Sequence, residues 1–262
     1  MKTYDQILYE TEEKSNFEDE FISKKIILKL NEDNDIKLPT LDYYVPYSAM
    51  LQMILINPEY LFCRNQVVQM LEENNYNWKN VVFRFISIIN DGRLPDSIRV
   101  ETIKSFKSFP FCKNIEILEN GCIIETTEGT IEAYKLNRLL KNEMLCKALD
   151  ERTFLNRCHS AVEECKLLFP ATNIITSELP TLFGGIMYHS YFKDETKGQV
   201  FDIALNTLYT GDTFNAFYNP NELLNVPSDK LDEYSNELPK DNKYYKVLRM
   251  ALNNKIKFEE ES

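Results

Sequence analysis

Three residue types that together support thiol chemistry follow one another in the second half of the chain. Cys158 lies where the sequence predicts the start of a helix, and His189 and Asp202 lie in two later strand-like runs. The chain has only two histidines, so few side chains could act as a base near neutral pH. A thiol with a neighbouring base is a nucleophile for acyl transfer. The pattern predicts a cysteine-dependent site formed by Cys158, His189 and Asp202.

The two strand-like runs are joined by a short polar loop at residues 194–197. If Lys193 pairs with Gly198 across this loop, His189 falls directly opposite Asp202. Directly opposed residues have Cβ atoms about 5 Å apart, which suits a hydrogen bond between an imidazole and a carboxylate. We therefore predict that Asp202 orients His189 toward the thiol. The alternative is a histidine–aspartate pair on the surface, which would contribute little energy.

Cys158 has the surroundings that lower the pKa of a thiol. Asn156 can cap a helix that runs to about Phe169, which puts Cys158 in its first turn. The helix dipole and the positive charge of Arg157 both favour a thiolate, whose pKa is ordinarily about 8.5. The alternative is that Cys158 is a core residue, as we expect for the other cysteines, which lack CxxC spacing.

The second histidine, His159, is the competing base. Adjacent positions on a helix point in different directions, so we predict that His159 does not serve Cys158 and instead lies on the surface or in a substrate cleft. The sequence gives little support for a metal site formed by the two histidines and a cysteine, because these residues lack the spacing of zinc ligands. The sequence also lacks the GxxxxGKS/T and GxGxxG motifs. It therefore predicts no metal and no organic cofactor.

Composition limits the class of protein. The 262 residues are 44% hydrophobic, which is enough for a substantial core, and the formal net charge is -11. That charge argues against a nucleic-acid partner, which would require a basic face. No apolar run approaches the roughly 20 residues of a membrane span. The charged N-terminus without a signal peptide and the scattered cysteines favour a cytoplasmic location with reduced thiols.

The first half of the chain has helical periodicity. Start signals at Asn57–Pro58, Asn77 and Pro95 predict three helices that are connected by short loops and end before Pro110. Residues 26–30 could form either a strand or the end of a helix. We therefore predict a mainly helical N-terminal region over residues 1–112.

The second half of the chain has mixed periodicity. Asn120–Gly121 predicts a hairpin. Further strands are expected at 171–177, 185–193 and 198–205. Two or three short helices, the last at about 240–254, are expected to end the chain. Residues 113–262 are predicted to form the second region, so the fold class is α+β.

The arrangement of the site residues resembles a known family. The order of Cys158 at a helix start, His189 in Tyr-His-Ser-Tyr and Asp202 in Gln-Val-Phe-Asp is similar to the transglutaminase-like branch of the papain-like cysteine protease fold. The resemblance covers about residues 145–210. It implies a papain-like core in which a small antiparallel sheet packs on the helix that carries Cys158.

The resemblance also implies a reaction. In a Cys-His-Asp triad, Cys158 would be the nucleophile, His189 the general base and acid, and Asp202 the orienting group. The thiolate would attack an amide or thioester of a protein or peptide substrate, and the acyl group would then pass to water or to an amine. Protease, deamidase and transglutaminase activities all follow this scheme.

The reaction also requires an oxyanion hole. The backbone N–H of Cys158 is one natural donor, and Tyr134, Asn137 and Trp78 are candidates for the second. The alternative function is that of a non-catalytic protein-interaction module that retains the fold. In either case aromatic side chains could line a groove, although such residues more often fill a core; they are Tyr188, Tyr191, Tyr209, Phe214, Phe217 and Tyr218.

Overall fold

A computed structural model describes residues 4–34, 47–56, 58–91, 95–151, 153, 158–210 and 213–233. These residues form helices and an antiparallel sheet, which confirms the α+β fold class. Among the described helices, none combines the length and the apolar character that crossing a bilayer requires.

Within the described residues, the first half of the chain forms five α-helices, two more than the three helices that were predicted. They are α1 (Tyr4–Asn34), α2 (Tyr47–Ile56), α3 (Arg64–Glu73), α4 (Trp78–Ile89) and α5 (Asp96–Phe106). The undecided residues 26–30 belong to α1. Asn77 caps α4 as predicted, because its side-chain oxygen accepts a hydrogen bond from the backbone N–H of Lys79 at 3.2 Å. The start predicted at Pro58 is a 3₁₀ helix, and its expected cap, Asn57, lies outside the described residues.

Eight strands of the described residues form one antiparallel sheet, so the sheet is larger than predicted. The strands are β1 (Cys112–Leu118), β2 (Gly121–Thr126), β3 (Thr130–Lys135), β4 (Asn173–Pro180), β5 (Ile186–Asp194), β6 (Gln199–Asp202), β7 (Thr207–Tyr209) and β8 (Asn221–Pro227). Their order is β1-β2-β3-β7-β6-β5-β4-β8. The hairpin predicted at Asn120–Gly121 joins β1 to β2.

Three helices lie among the strands in sequence: α6 (Glu143–Asp150), α7 (Cys158–Cys165) and α8 (Thr213–Tyr218). The helix α8 and a short 3₁₀ helix at Ser228–Lys230 match the short helices expected near the end of the chain, and β8 was not predicted. The helix expected at about 240–254 lies outside the described residues.

The predicted register between β5 and β6 was wrong by two residues. Lys193 pairs with Val200, and not with Gly198. The turn causes this difference: the Asp194 carboxylate accepts a hydrogen bond from the backbone N–H of Thr196 at 3.0 Å, and Gly198 has a φ of 63°. Asp194 therefore ends β5, and Gly198 supplies the left-handed backbone of the turn.

The corrected register still leaves His189 and Asp202 on one face. A slip of two residues does not change the face to which a side chain points, because side chains alternate with a period of two. The β5–β6 ladder ends at the pair Phe192–Phe201. The strand predicted over 198–205 stops at Asp202, and residues 203–206 turn the chain into β7.

Helices cover both faces of the sheet. One cluster of buried residues contains side chains from each of the five helices α1 to α5 and from the sheet face that carries Tyr191 and Val200. A second cluster joins α6 and α7 with the face that carries Phe192 and Ile203. Residues on both sides of position 112 belong to the first cluster. The helix α4 and the helix that begins at Cys158 thus pack on opposite faces of the sheet.

Candidate functional site

His189 and Asp202 form a buried hydrogen-bonded pair. His189 Nε2 lies 2.7 Å from Asp202 Oδ2, and both residues are buried. The other carboxylate oxygen, Oδ1, accepts a hydrogen bond from the backbone N–H of Leu205 at 3.0 Å. Because a carboxylate only accepts, Nε2–H donates to Asp202, and Nδ1 is the ring nitrogen left for another partner. Asp202 thus holds the His189 ring through a hydrogen bond.

Cys158 begins α7 and lies beside the strand that carries His189. Its Sγ is 4.0 Å from the carbonyl oxygen of Tyr188, the residue before His189. Cys158 as a residue is partly buried. The predicted helix-start position is correct, whereas Asn156 and Arg157 lie outside the described residues.

The thiol and the imidazole change each other's ionisation. Burial by itself raises the pKa of Cys158, but the charges of His159 and His189 and their hydrogen bonds lower it well below its ordinary 9.0. Burial disfavours the charged form of His189, but Asp202 and Cys158 outweigh it and raise the His189 pKa to about 10. Opposite charges favour the ionised forms of both partners. The site therefore favours a thiolate–imidazolium pair at neutral pH.

Other cysteines have the opposite shift. Burial raises the pKa of four thiols in the described residues: those of Cys63, Cys112, Cys122 and Cys165. Cys165 shares α7 with Cys158 but is buried at the far end of the helix, away from both imidazoles. The lowered pKa of Cys158 is thus a property of its position and not of the chain's cysteines in general.

His159 lies closer to the Cys158 thiol than its direction on the helix led us to expect. His159 Nδ1 lies 2.6 Å from Ser190 Oγ, and Ser190 Oγ lies 2.6 Å from Thr176 Oγ1. His159 also lowers the pKa of Cys158 through charge and a hydrogen bond. Different directions on the helix do not separate two residues whose Cα atoms are adjacent in the chain. The thiol therefore has two imidazoles beside it, each held by a different partner.

Sequence reasoning missed two residues of α4 that contact or neighbour the triad. The ring of Phe83 meets the imidazole of His189 edge to face, with centroids 5.3 Å apart. Arg84 Nη2 lies 3.8 Å from Met187 Sδ, and the charge of Arg84 interacts with those of Cys158 and Asp202. The available signal was an arginine within the otherwise apolar run from Val81 to Ile89.

The three candidates for a second oxyanion donor are engaged elsewhere. The Tyr134 hydroxyl lies 3.4 Å from Glu132, and the Asn137 amide donates to Asp150. The Trp78 ring stacks on Phe111, with centroids 4.7 Å apart. None of the contacts described for these three residues involves Cys158.

Most of the candidate groove aromatics belong to the core. Tyr188 is partly exposed. The others are buried: Tyr191, Tyr209, Phe214, Phe217 and Tyr218. They pack on one another and on Phe83, as in the edge contact of the Phe83 and Tyr218 rings with centroids 5.5 Å apart. Within the described residues, the five buried side chains therefore form part of the core next to the site and do not line a groove.

Comparisons with known proteins add no relative. No family model matches this sequence, and searches of curated proteins and of solved structures find no significant match. Among the described residues, no group of three or more histidine, cysteine or acidic side chains is arranged to hold a metal ion. The geometry around Cys158, His189 and Asp202 is therefore the basis for any function proposed for the chain.

Proposed function

We propose that this protein is a cysteine hydrolase or acyltransferase of the transglutaminase-like, papain-like type, in which Cys158 is the nucleophile. One observation carries the proposal: the Cys158 thiol has a strongly lowered pKa beside His189, whose Nε2 is held by buried Asp202 at 2.7 Å. A nucleophile, a base and an orienting group in mutual reach are the features by which such sites are recognised.

The proposed reaction begins with the thiolate. Cys158 Sγ attacks the carbonyl carbon of an amide or thioester, so that a sulfur–carbon bond forms and the carbonyl oxygen becomes an oxyanion. The imidazolium of His189 then donates its Nδ1 proton to the leaving amine or thiol as the bond to that group breaks. The product of this step is an acyl-enzyme on Cys158.

The second half of the reaction releases the acyl group. Water or an amine attacks the thioester carbonyl, and His189 Nδ1 takes the proton of the attacking group. The sulfur–carbon bond breaks and the thiolate is restored. Attack by water completes a hydrolysis, as in a protease or deamidase, whereas attack by an amine completes a transamidation.

The proposed substrate is a protein or peptide, in keeping with the family that the triad resembles. The net charge of -11 disfavours a nucleic-acid partner. No metal and no organic cofactor takes part in the proposed scheme, because the thiolate, the imidazolium and the carboxylate supply the groups that both halves of the reaction need.

The test has two stages. Iodoacetamide labelling of Cys158, resolved from the other cysteines by peptide mass spectrometry, should proceed rapidly well below pH 8 and should slow in His189→Ala. A short-peptide acyl thioester should then give an acyl adduct on Cys158 that disappears in Cys158→Ser.

Two results would favour a non-catalytic interaction module. One is labelling that follows an ordinary thiol titration or ignores His189→Ala. The other is an activated thiol that forms no acyl adduct with thioester or activated amide probes.

A further inference from the structure

We propose that Arg84 supplies a positive charge that stabilises the Cys158 thiolate and the oxyanion formed when that thiolate attacks a carbonyl. The inference rests on the function proposed above and assigns the electrostatic partner that the candidates Tyr134, Asn137 and Trp78 do not provide. Arg84 would act on the reacting sulfur and oxygen through charge.

The position of Arg84 is determined by contacts on the His189 face of the sheet. Its Nη2 lies 3.8 Å from Met187 Sδ, and Met187 precedes His189 by two residues on β5, so both side chains point to the same face. The neighbouring Phe83 packs against the His189 ring. The helix α4 thus brings a cation beside the strand that carries His189.

The guanidinium has few partners of its own. Among the described residues, no carboxylate lies within 4.0 Å of Arg84, and its buried Nε has no hydrogen-bond acceptor. A thioether sulfur is only a weak acceptor. A charge in such surroundings is costly unless an opposite charge compensates it. The guanidinium also lies over the Phe83 ring at 5.9 Å, and an anion nearby would compensate its charge further.

Cys158 is the anion that can provide this compensation. The charges of Cys158 and Asp202 oppose the lowering of the Arg84 pKa by burial. The two oxygens of Asp202 already accept hydrogen bonds from His189 and from the Leu205 backbone. Of these two anions, Cys158 has the stronger charge interaction with Arg84.

The surrounding charges are consistent with this role. His159 faces the thiol from its own helix, and His189 faces it from β5. Tyr209 and Tyr218 lie near Asp202, and burial raises the pKa of each phenol, so both stay neutral. When the thiolate attacks, its negative charge moves to the carbonyl oxygen, and a fixed guanidinium can continue to stabilise it.

The experiment compares Arg84→Met, which removes the charge, with Arg84→Lys, which keeps it. Lys79→Met is the matched control, because Lys79 is a cation of the same helix that pairs with Glu128 at 2.9 Å. In Arg84→Met, the midpoint of the pH profile of Cys158 labelling by iodoacetamide should rise by about one pH unit. Acylation by the peptide thioester should slow about a hundredfold, the usual order for losing an oxyanion-stabilising group.

The controls separate charge from packing. Arg84→Lys should keep the labelling profile within about half a pH unit, a shift of under 1 kcal/mol, and Lys79→Met should behave as the wild type. Equal losses in Arg84→Lys and Arg84→Met would overturn the charge role, as would an unchanged profile in Arg84→Met. If Arg84→Met does not fold, Arg84→Gln, which retains hydrogen-bond donors without the charge, is measured in its place.

Failure of this inference differs from failure of the proposed function. A wild-type thiol that is not labelled below pH 8 would contradict the function itself. A wild-type thiol whose reactivity depends on His189 but not on Arg84 would contradict only the inference about Arg84.

Discussion

His189 and Asp202 share a hydrogen bond of 2.7 Å although they are not a cross-strand pair. Asp202 pairs instead with Thr207 of β7. Its second oxygen is held by the backbone N–H of Leu205, in the turn that ends β6. The orientation of the imidazole therefore depends on that turn as much as on the sheet.

Asp202→Asn should weaken the activation of Cys158. The amide keeps the size of the carboxylate but loses its charge and presents a donor, so the imidazolium of His189 loses its principal stabiliser. We expect the midpoint of the pH profile of Cys158 labelling to rise by about one pH unit. The pH dependence of iodoacetamide labelling measures this change.

The control is Asp232→Asn, which removes an exposed carboxylate that pairs with Lys166. That variant should label as the wild type does. An Asp202→Asn profile superimposable on the wild type would show that the carboxylate has no part in activating the thiol.

The stability of the protein should depend on pH through the ionisation of His189 and Cys158. The His189 pKa is raised to about 10, so the imidazolium contributes stability that is fully present below the unfolded pKa, near 6.5, and is lost as the pH rises through about 10. The Cys158 pKa is lowered, so the thiolate contributes stability that is present above 9.0 and is lost as the pH falls through the lowered value.

Urea unfolding of the wild type and Asp202→Asn tests the alkaline half of this prediction. We expect the wild type to be more stable by about 2 kcal/mol near pH 6, the order of a hydrogen bond to a charged group. The difference should shrink as the pH rises through about 10, because the imidazole is then neutral in both proteins. A difference that grows with pH would contradict the assigned direction of the His189 shift.

His159→Gln should have a smaller effect than His189→Ala. Glutamine can still bond to Ser190 but carries no charge, so the thiol loses one of the two imidazoles that lower its pKa. We expect the midpoint of the labelling profile to rise by about half a pH unit. Acylation by the peptide thioester should persist, because His189 keeps its contact with Asp202.

Ser190→Ala is the companion variant, since it removes the hydroxyl that holds the His159 ring and leaves both imidazoles in place. It should change labelling less than His159→Gln does. If His159→Gln abolished acylation as completely as His189→Ala, His159 would be the base and the assignment of His189 would be wrong.

Asp19→Asn should destabilise the fold near the start of β5. The buried Asp19 carboxylate of α1 accepts hydrogen bonds from the Thr181 hydroxyl and from the backbone N–H groups of Phe183 and Gly185. We expect a loss of about 1–3 kcal/mol, because an amide nitrogen cannot accept from those donors. Urea unfolding measures the loss.

Asp33→Asn, on the same helix, is the control. Its carboxylate pairs with exposed Lys29 at 2.9 Å. Its effect should stay within about 0.5 kcal/mol, as is usual for exposed pairs. Equal effects of the two substitutions would mean that Asp19 does not secure the segment before β5.

Local signals predicted the elements that depend on a few neighbouring residues. Asn77 caps α4, Pro95 precedes α5, and Asn120–Gly121 joins β1 to β2, as expected. These features depend on backbone preferences and hydrogen bonds within a few positions of each residue. The strand β8 was missed because it completes the sheet by pairing with β4, a contact between segments distant in sequence.

The error in the β5–β6 register has a different, local origin. Alternation placed His189 and Asp202 on one face, and that prediction is insensitive to a slip of two residues. The register itself follows from the Asp194 carboxylate and the left-handed Gly198, which move the turn by one residue. Both residues are visible in the sequence, and a turn prediction that included the positive φ at glycine would have found the register.

The sequence alone determined the residue types of the site, their order and the face of the sheet on which the histidine and aspartate lie, because these depend on composition and on a local period of two. Only the tertiary structure decided which other groups surround the thiol. Phe83 and Arg84 are distant from Cys158 in the sequence and belong to a helix that packs on the sheet. His159 is held by a serine of β5. Such contacts depend on how helices pack across both faces of the sheet, and no local pattern encodes that packing.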